Sequence, residues 1–287
     1  MHRFAVARFT LLPVVSRFRG AWRQGAPAAL ALALALTSQC ASAGACEKTV
    51  RWNDDPPYSW RDENGAINGF YVELVRNALQ RMGCTARFVE LPWARALVDL
   101  EAGNLDILPG ALHNPQRDAF ALFSHPVNRS PNVLFVARAG QQRFPLKTLA
   151  DIIGTEFVLG AQIKVSYGPQ FDALLADPEF NKHLYPIGQR RSGWKMLQVG
   201  RIDGLIADEV TGLIELKQLN LQETVVKSRV VVSGEPALIA FSRRAIDERF
   251  VERFDAALDT LRADGEYVRI RERNIPCRAS SQTLACS

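Results

Sequence analysis

The sequence lacks the signatures of the common catalytic and nucleotide-binding sites. It contains no GxSxG, P-loop, GxGxxG or HExxH. Those absences remove the hydrolase nucleophile elbow, the Walker phosphate cradle, the dinucleotide fingerprint and the helical zinc pair. Only four histidines occur, and no CxxC pair accompanies them, so ligand spacing gives no metal site and no cofactor is expected. The apolar run at residues 26–37, "APAALALALALT", is about a dozen residues long, short of the roughly 20 that a bilayer span needs.

Acidic charge is missing from the start of the chain. Arg3, Arg8, Arg17, Arg19 and Arg23 precede the apolar run, and no acid occurs before Glu47. Small residues, "ASAGA", follow. This order is that of a secretory signal peptide over residues 1–45, with cleavage after Ala43 or Ala45 fitting equally well. A membrane anchor helix is disfavoured by the length of the run, and a lipid-bearing Cys46 by the absence of a leucine three residues before it. The remainder holds thirty basic and thirty acidic residues, so the formal charge of +5 belongs to the presequence. The basic footprint of a nucleic-acid binder is absent.

Four cysteines remain in the exported part: Cys46, Cys84, Cys277 and Cys286. An even number in an oxidising compartment points to two disulfides, with three connectivities open.

Strand and helix patterns alternate after residue 46. Strands are expected at "KTVRWN", "CTARFVEL" and "LDILPGA". The helix at residues 70–83 carries Val72, Val75, Leu79 and Met82 on one face, and a second, "WARALVDLEAG", ends at Gly103. This reads as a parallel α/β sheet. Cys46 and Cys84 precede its first two strands, which places both thiols at one edge and pairs them, leaving Cys277 for Cys286. A second cycle follows "NVLFVARAG": a helix at "LKTLADI", a strand at "EFVLGA", a helix capped by Ser166, a strand at "HLYPI", a helix over 192–200, a strand at "IDGLIA" and a helix from Asp208. The strand "PALIAFS" and a helix with Ile246, Phe250, Phe254, Ala257 and Leu261 in one stripe come last and return to the first unit. Two such units leave a cleft at their strand ends, where ligands bind.

Three strand ends carry candidate binding groups. Tyr58 and Trp60 follow the first strand and form an apolar wall or simply pack. The third strand leads through Gly110 to "HNPQR", where Asn114-Pro115 starts a helix with Arg117 in its first turn. A cation is disfavoured there by the helix dipole, so an anion is expected to compensate, and a guanidinium grips a carboxylate in bidentate fashion. Pairing with Asp118 or solvent is the plainer alternative. Asp208 and Glu209 close "IDGLIA"; an acid there caps the helix and, facing the cleft, receives an ammonium group.

The stretches "PPYSWRDENGAINGFYVEL", "PWARALVDLEAGNLDILPGALHNPQR", "FSHP", "VGRIDGLIADE" and "LRADGEYVRI", in this order over residues 50–273, resemble the extracellular solute-binding proteins of family 3, the polar amino-acid receptors of ABC importers. The resemblance implies an α/β two-lobed clamp of the type 2 periplasmic-binding-protein fold. Each lobe is a mostly parallel sheet flanked by helices, joined by a two-strand hinge. The implied lobes are residues 46–137 with 236–287, and 138–235. It further implies that Arg117 grips the ligand carboxylate and Asp208 the ammonium, with Tyr58 and Trp93 flanking the ligand. Asn114 replaces the family's threonine, and the segment reaching Gly110 is one residue shorter. Lys164 stands at the expected glycine of a turn whose contacts are Ser166 and Tyr167. A monomeric periplasmic receptor without catalytic residues, serving an inner-membrane ABC permease and binding no nucleic acid, is what the resemblance predicts. The alternatives are a cyclohexadienyl-dehydratase-like enzyme using Glu209, and a sensory or accessory receptor without its own importer.

Overall fold

Two five-stranded sheets organise the chain, and each draws its strands from distant parts of the sequence. The computed structural model describes residues 46–275; the presequence and the Cys277–Cys286 pairing lie outside them. The first sheet takes β1 (Cys46–Trp52), the second takes β7 (Asn132–Ala137), and a small hairpin of β2 (Trp60–Arg61) and β3 (Ile67–Asn68) stands apart. The remaining strands are β4 (Cys84–Glu90), β5 (Ile107–Ala111), β6 (Ala121–Phe123), β8 (Leu159–Gln162), β9 (Leu184–Ile187), β10 (Gly204–Asp208), β11 (Val225–Ser233) and β12 (Leu238–Ser242). The orders are β4-β1-β5-β12-β6 and β11-β7-β10-β8-β9.

Helices cover both faces. In the first lobe α1 (Phe70–Arg81) buries Val72, Val75 and Leu79 as its spacing predicts, and α2 (Trp93–Ala102) ends on Gly103 in the left-handed conformation. The second lobe carries the short α3 (Gly140–Arg143), α4 (Pro169–Leu174) and α5 (Pro178–Asn181), then α6 (Arg190–Gln198) and α7 (Glu209–Gln218). The apolar stripe of α8 (Glu248–Ala263) packs on the first lobe's core beside α1, and α9 (Glu266–Asn274) follows. The return of the last strand and helix to the first unit is therefore observed.

Several expectations change. Each sheet is mostly parallel, as expected, but carries one reversed strand: β1 runs parallel to β4 and β5, while β12 is antiparallel to β5 and β6. Likewise β10 is parallel to β8 but antiparallel to β7, which also pairs antiparallel with β11. Parallel neighbours need a crossover element, and the strands that enter or leave through the hinge have none. β7, expected at the end of the first lobe, belongs to the second sheet, so the chain crosses before residue 132 rather than after 137. The crossing strands meet at Asn128 and Ala237, where Val127 N–H donates to Ala237 O (2.9 Å) and Ala237 N–H to Asn128 O (2.8 Å). The helix expected at "LKTLADI" is a 3-10 turn, Leu149–Ile152, and α6 begins two residues before Ser192.

The Cys46–Cys84 disulfide is present, joining residues that face each other in the β1–β4 register with Cα atoms 4.5 Å apart.

Candidate functional site

Strand ends from both sheets converge on a cavity of about 380 Å³ whose lining includes Arg51, Tyr58, Tyr71, Trp93, Arg190 and Asp208. The loop after β1 folds back onto the start of α1, where Phe70 N–H and Tyr71 N–H donate to Pro57 O and Tyr58 O, each at 3.0 Å. That approach needs a glycine: a Cβ on Gly69, at φ +124°, would lie 2.4 Å from Tyr58 O. The loop thus holds Tyr58 against Tyr71, ring centroids 4.8 Å apart and nearly parallel. Gly110 bends the end of β5 with φ +79°, and Tyr71 fills the space beside it, where a Cβ would meet the ring at 2.9 Å.

Tyr58 reaches across the cleft. Its hydroxyl donates to Asp208, 3.2 Å from each carboxylate oxygen, and accepts from Asn128 Nδ2 at 3.3 Å. Asp208 ends β10 and caps α7, accepting from Thr211 N–H at 3.0 Å. Burial raises the Asp208 pKa above its ordinary 3.8, against the opposing pull of Ser130 and of the Thr211 amide. The buried Ser130 Oγ lies beside this carboxylate yet meets no partner at hydrogen-bonding geometry among the described residues. Burial, then the Asp208 charge, hold the Tyr58 hydroxyl protonated far above pH 10.

A second charged group spans the lobes. Arg190, the first residue of α6, donates through Nε and Nη2 to Glu215 (2.8 and 3.1 Å) and through Nη2 to Asp55 on the opposite lobe. Glu215 is 1% exposed and also accepts from the Trp194 indole. Burial alone would lower the Arg190 pKa, but Asp55 and Glu215 drive it well above the ordinary value.

The predicted site residues divide between two cavities. Tyr58, Trp93, Gly110, Ser166, Tyr167 and Asp208 line the one described. Arg117 and Asn114 line the adjoining one, which shares Gln162, Val165 and Ser166 with it. Arg117 is buried, with Nη1 donating to Leu112 O (2.6 Å) and Nη2 to Lys164 O (3.3 Å), and it lies over the Trp93 ring. Its pKa is lowered by burial, partly countered by Asp172. The segment after Asn114-Pro115 is a succession of turns rather than a helix, and Asn114 Oδ1 accepts from Arg117 N–H at 3.0 Å. Ser166 is not the cap of α4, which starts from Gly168; its hydroxyl donates to Asp172 at 3.2 Å. Tyr167 is buried, accepts from Gln162 N–H, and is pushed up to about 12 by burial. Glu209, the acid of the enzyme alternative, is fully buried against Lys227 and does not line the cavity. No group of three His, Cys, Asp or Glu fit to hold a metal occurs among the described residues.

Lys164, standing where a glycine was expected, takes the left-handed backbone at φ +60°. The turn presents its carbonyl to Trp93 Nε1 (3.1 Å) and to Arg117, tying the lobes on this side. Left-handed backbone costs an L-residue roughly 1–2 kcal/mol, and more for a β-branched one. Lys164 already carries that cost, so Lys164→Val is expected to lower stability further by the β-branched excess, while Lys164→Gly stays near wild type as relieved strain offsets unfolded-state entropy. Chemical denaturation of the two variants checks this.

Arg51, Asp55, Tyr71 and Arg190 escaped the sequence reading. The expected start of α6 at Ser192 left Arg190 outside it; with α6 starting at Arg190 the cation lies in the first turn, where the dipole disfavours it.

The model of the bacterial extracellular solute-binding proteins, family 3, matches residues 49–276. The chain belongs to this family. A probable amino-acid ABC transporter-binding protein of Haemophilus influenzae is 23% identical over 216 residues, covering 75% of this chain and 78% of the relative. An L-cystine-binding protein of Escherichia coli is 22% identical over 226 residues, covering 76% and 78%. Among solved structures, a histidine kinase sensor domain with similarity to periplasmic binding proteins shares the fold. Its TM-score is 0.70, at 23% identity, covering 81% of this chain and 96% of that one. This solute-binding protein therefore has the two-lobed type 2 clamp, and no described helix is long and apolar enough to cross a membrane.

Proposed function

We propose that this protein captures a small zwitterionic solute, an amino acid, in the periplasm and delivers it to an inner-membrane ABC permease as a non-enzymatic, monomeric receptor. The observation that carries the reading is Asp208. It is a buried carboxylate at a strand end inside the interlobe cavity, approached by Tyr58 from the opposite lobe. An ammonium group supplies the charge that burial leaves uncompensated, and the stacked Tyr58 and Tyr71 with Trp93 give the ligand apolar walls. Amino-acid and L-cystine binding in relatives of the same family supports the choice of ligand class. A ligand that touches both lobes binds the closed state more tightly than the open one, and that difference drives closure.

Calorimetric titration with the twenty L-amino acids and L-cystine tests the proposal. At least one is expected to bind, and Asp208→Asn is expected to weaken it by roughly 2–5 kcal/mol, the cost of truncating one partner of a buried charge pair. No binding to any, or equal binding by Asp208→Asn, contradicts it. The affinity also follows pH. Protonation removes the charge that holds the ammonium, so affinity falls as pH drops through the raised Asp208 pKa. Binding pulls that pKa back down and releases a proton, which titrations in buffers of different ionisation enthalpy detect. The ligand-free fold behaves oppositely. Its contribution from this group is present below the unfolded pKa and is lost as pH rises through the raised folded value.

A further inference from the structure

The crossing segment that leads into β7 carries a polar residue at every second position. Asn128, Ser130 and Asn132 all line the cavity, while Arg129, between the first two, is exposed. An extended backbone imposes that alternation, with successive side chains on opposite faces. The amino-acid reading of the cleft uses none of the three.

Asn128 is buried where the two crossing strands pair, and its carbonyl accepts from Ala237 N–H, which fixes its backbone at the hinge. Its Nδ2 donates to the Tyr58 hydroxyl at 3.3 Å, and that hydroxyl donates to Asp208 at 3.2 Å. Tyr58 belongs to the first lobe and Asp208 to the second, so this relay starts at the hinge and ends across the cleft.

Proton counting sets the direction of the relay. A phenol has one proton and an ionised carboxylate has none, so the proton between them is the one on Tyr58. The hydroxyl oxygen is then an acceptor, and the group that meets it must bring its own N–H. The asparagine amide does so at every pH, because it does not titrate. A carboxylate in its place would accept instead and compete with Asp208 for the Tyr58 proton. The other titratable groups that act on Asp208 are Asp55 and Arg190, together with the Tyr58 and Tyr71 hydroxyls.

We propose that Asn128 is a positioning residue for the binding site: from the hinge, its amide holds the Tyr58 proton on Asp208 and keeps that carboxylate an acceptor for the ammonium group. The ammonium rests on the amino-acid reading; the placement of the Tyr58 proton does not.

The test titrates the Asp208 carboxyl by carbon NMR in the ligand-free protein, its resonance assigned by its absence from Asp208→Asn. Wild type is compared with Tyr58→Phe, Asn128→Asp and the double variant of these two. Tyr58→Phe is expected to raise the midpoint by about one pH unit, the low end of a hydrogen bond to a charged group. Asn128→Asp is expected to raise it further, because the new acid draws the Tyr58 proton away as well as adding like charge. In the Tyr58→Phe background only the like charge remains, so the step caused by Asn128→Asp is expected to shrink by about one pH unit. Equal steps in the two backgrounds overturn the proposal, and so does a midpoint unmoved by Tyr58→Phe. If Asn128→Asp fails to fold, Asn128→Leu replaces it. Its rise of about a few tenths of a pH unit, from the lost polarisation of the relay, is expected to vanish in the Tyr58→Phe background; no rise, or one that persists, overturns the proposal. Calorimetry with the twenty L-amino acids and L-cystine is expected to show the acid-side loss of affinity moving with the NMR midpoint. An affinity profile that stays put while the midpoint moves overturns the positioning role. Wild type that binds none of these probes removes the amino-acid reading instead, and the NMR steps still decide where the Tyr58 proton lies.

Discussion

Arg190→Met is expected to lower the stability of the folded protein by about 3–5 kcal/mol, the cost of breaking a buried ion pair by removing one partner. Glu215 is 1% exposed, and Arg190 supplies two of its three hydrogen bonds, leaving only the Trp194 indole N–H. A carboxylate so placed must take up a proton or leave the interior. The double variant Arg190→Met/Glu215→Gln is expected to recover most of the loss, because no buried charge is then left alone. Asp55→Asn should differ from both. It removes only the cross-lobe arm of the network, from a residue that is partly exposed, so it costs about 1 kcal/mol or less and shifts the balance between open and closed lobes. Urea midpoints of the four proteins check the ranking. A midpoint for Arg190→Met within error of wild type would show that the network is not a stabilising element.

The second large effect belongs to the disulfide. Cys46 and Cys84 are the first residues of β1 and β4, directly opposite in register, and their bond closes a loop with a sequence separation of 38. In the chain-entropy model a loop of that size constrains the unfolded state by about 4 kcal/mol at 25 °C. Cys46→Ser/Cys84→Ser is expected to lose about that much. The double variant is preferable to a reductant, because its effect is confined to Cys46 and Cys84. An unchanged denaturation midpoint in the double variant would contradict the pairing.

Where local periodicity decided structure, the sequence was readable. The stripes of α1 and α8, the Gly103 end of α2, the Asp208 cap of α7 and the Cys46–Cys84 edge all depend on neighbours in sequence or on adjacent parallel strands. Long-range crossings were harder. The place of β7 and the antiparallel insertion of β12 between β5 and β6 follow from the paired crossing at Asn128 and Ala237, which no local pattern announces. The same limit governs the site. Asp208 and Tyr58 sit at strand ends and were found there. Arg117 shares that signal, yet its side chain reaches the carbonyls of Leu112 and Lys164, and carbonyl partners have no sequence signature. Arg51 was passed over because one charge within a strand reads as a solvent-facing alternate. Only the cavity shows that its face is the cleft.

The most direct test is a crystal structure of the protein with the amino acid that binds it most tightly. The ligand is expected in the cavity between the lobes, with its ammonium within about 3 Å of Asp208. A ligand bound outside that cavity, or with its ammonium turned away from Asp208, would contradict this reading of the site.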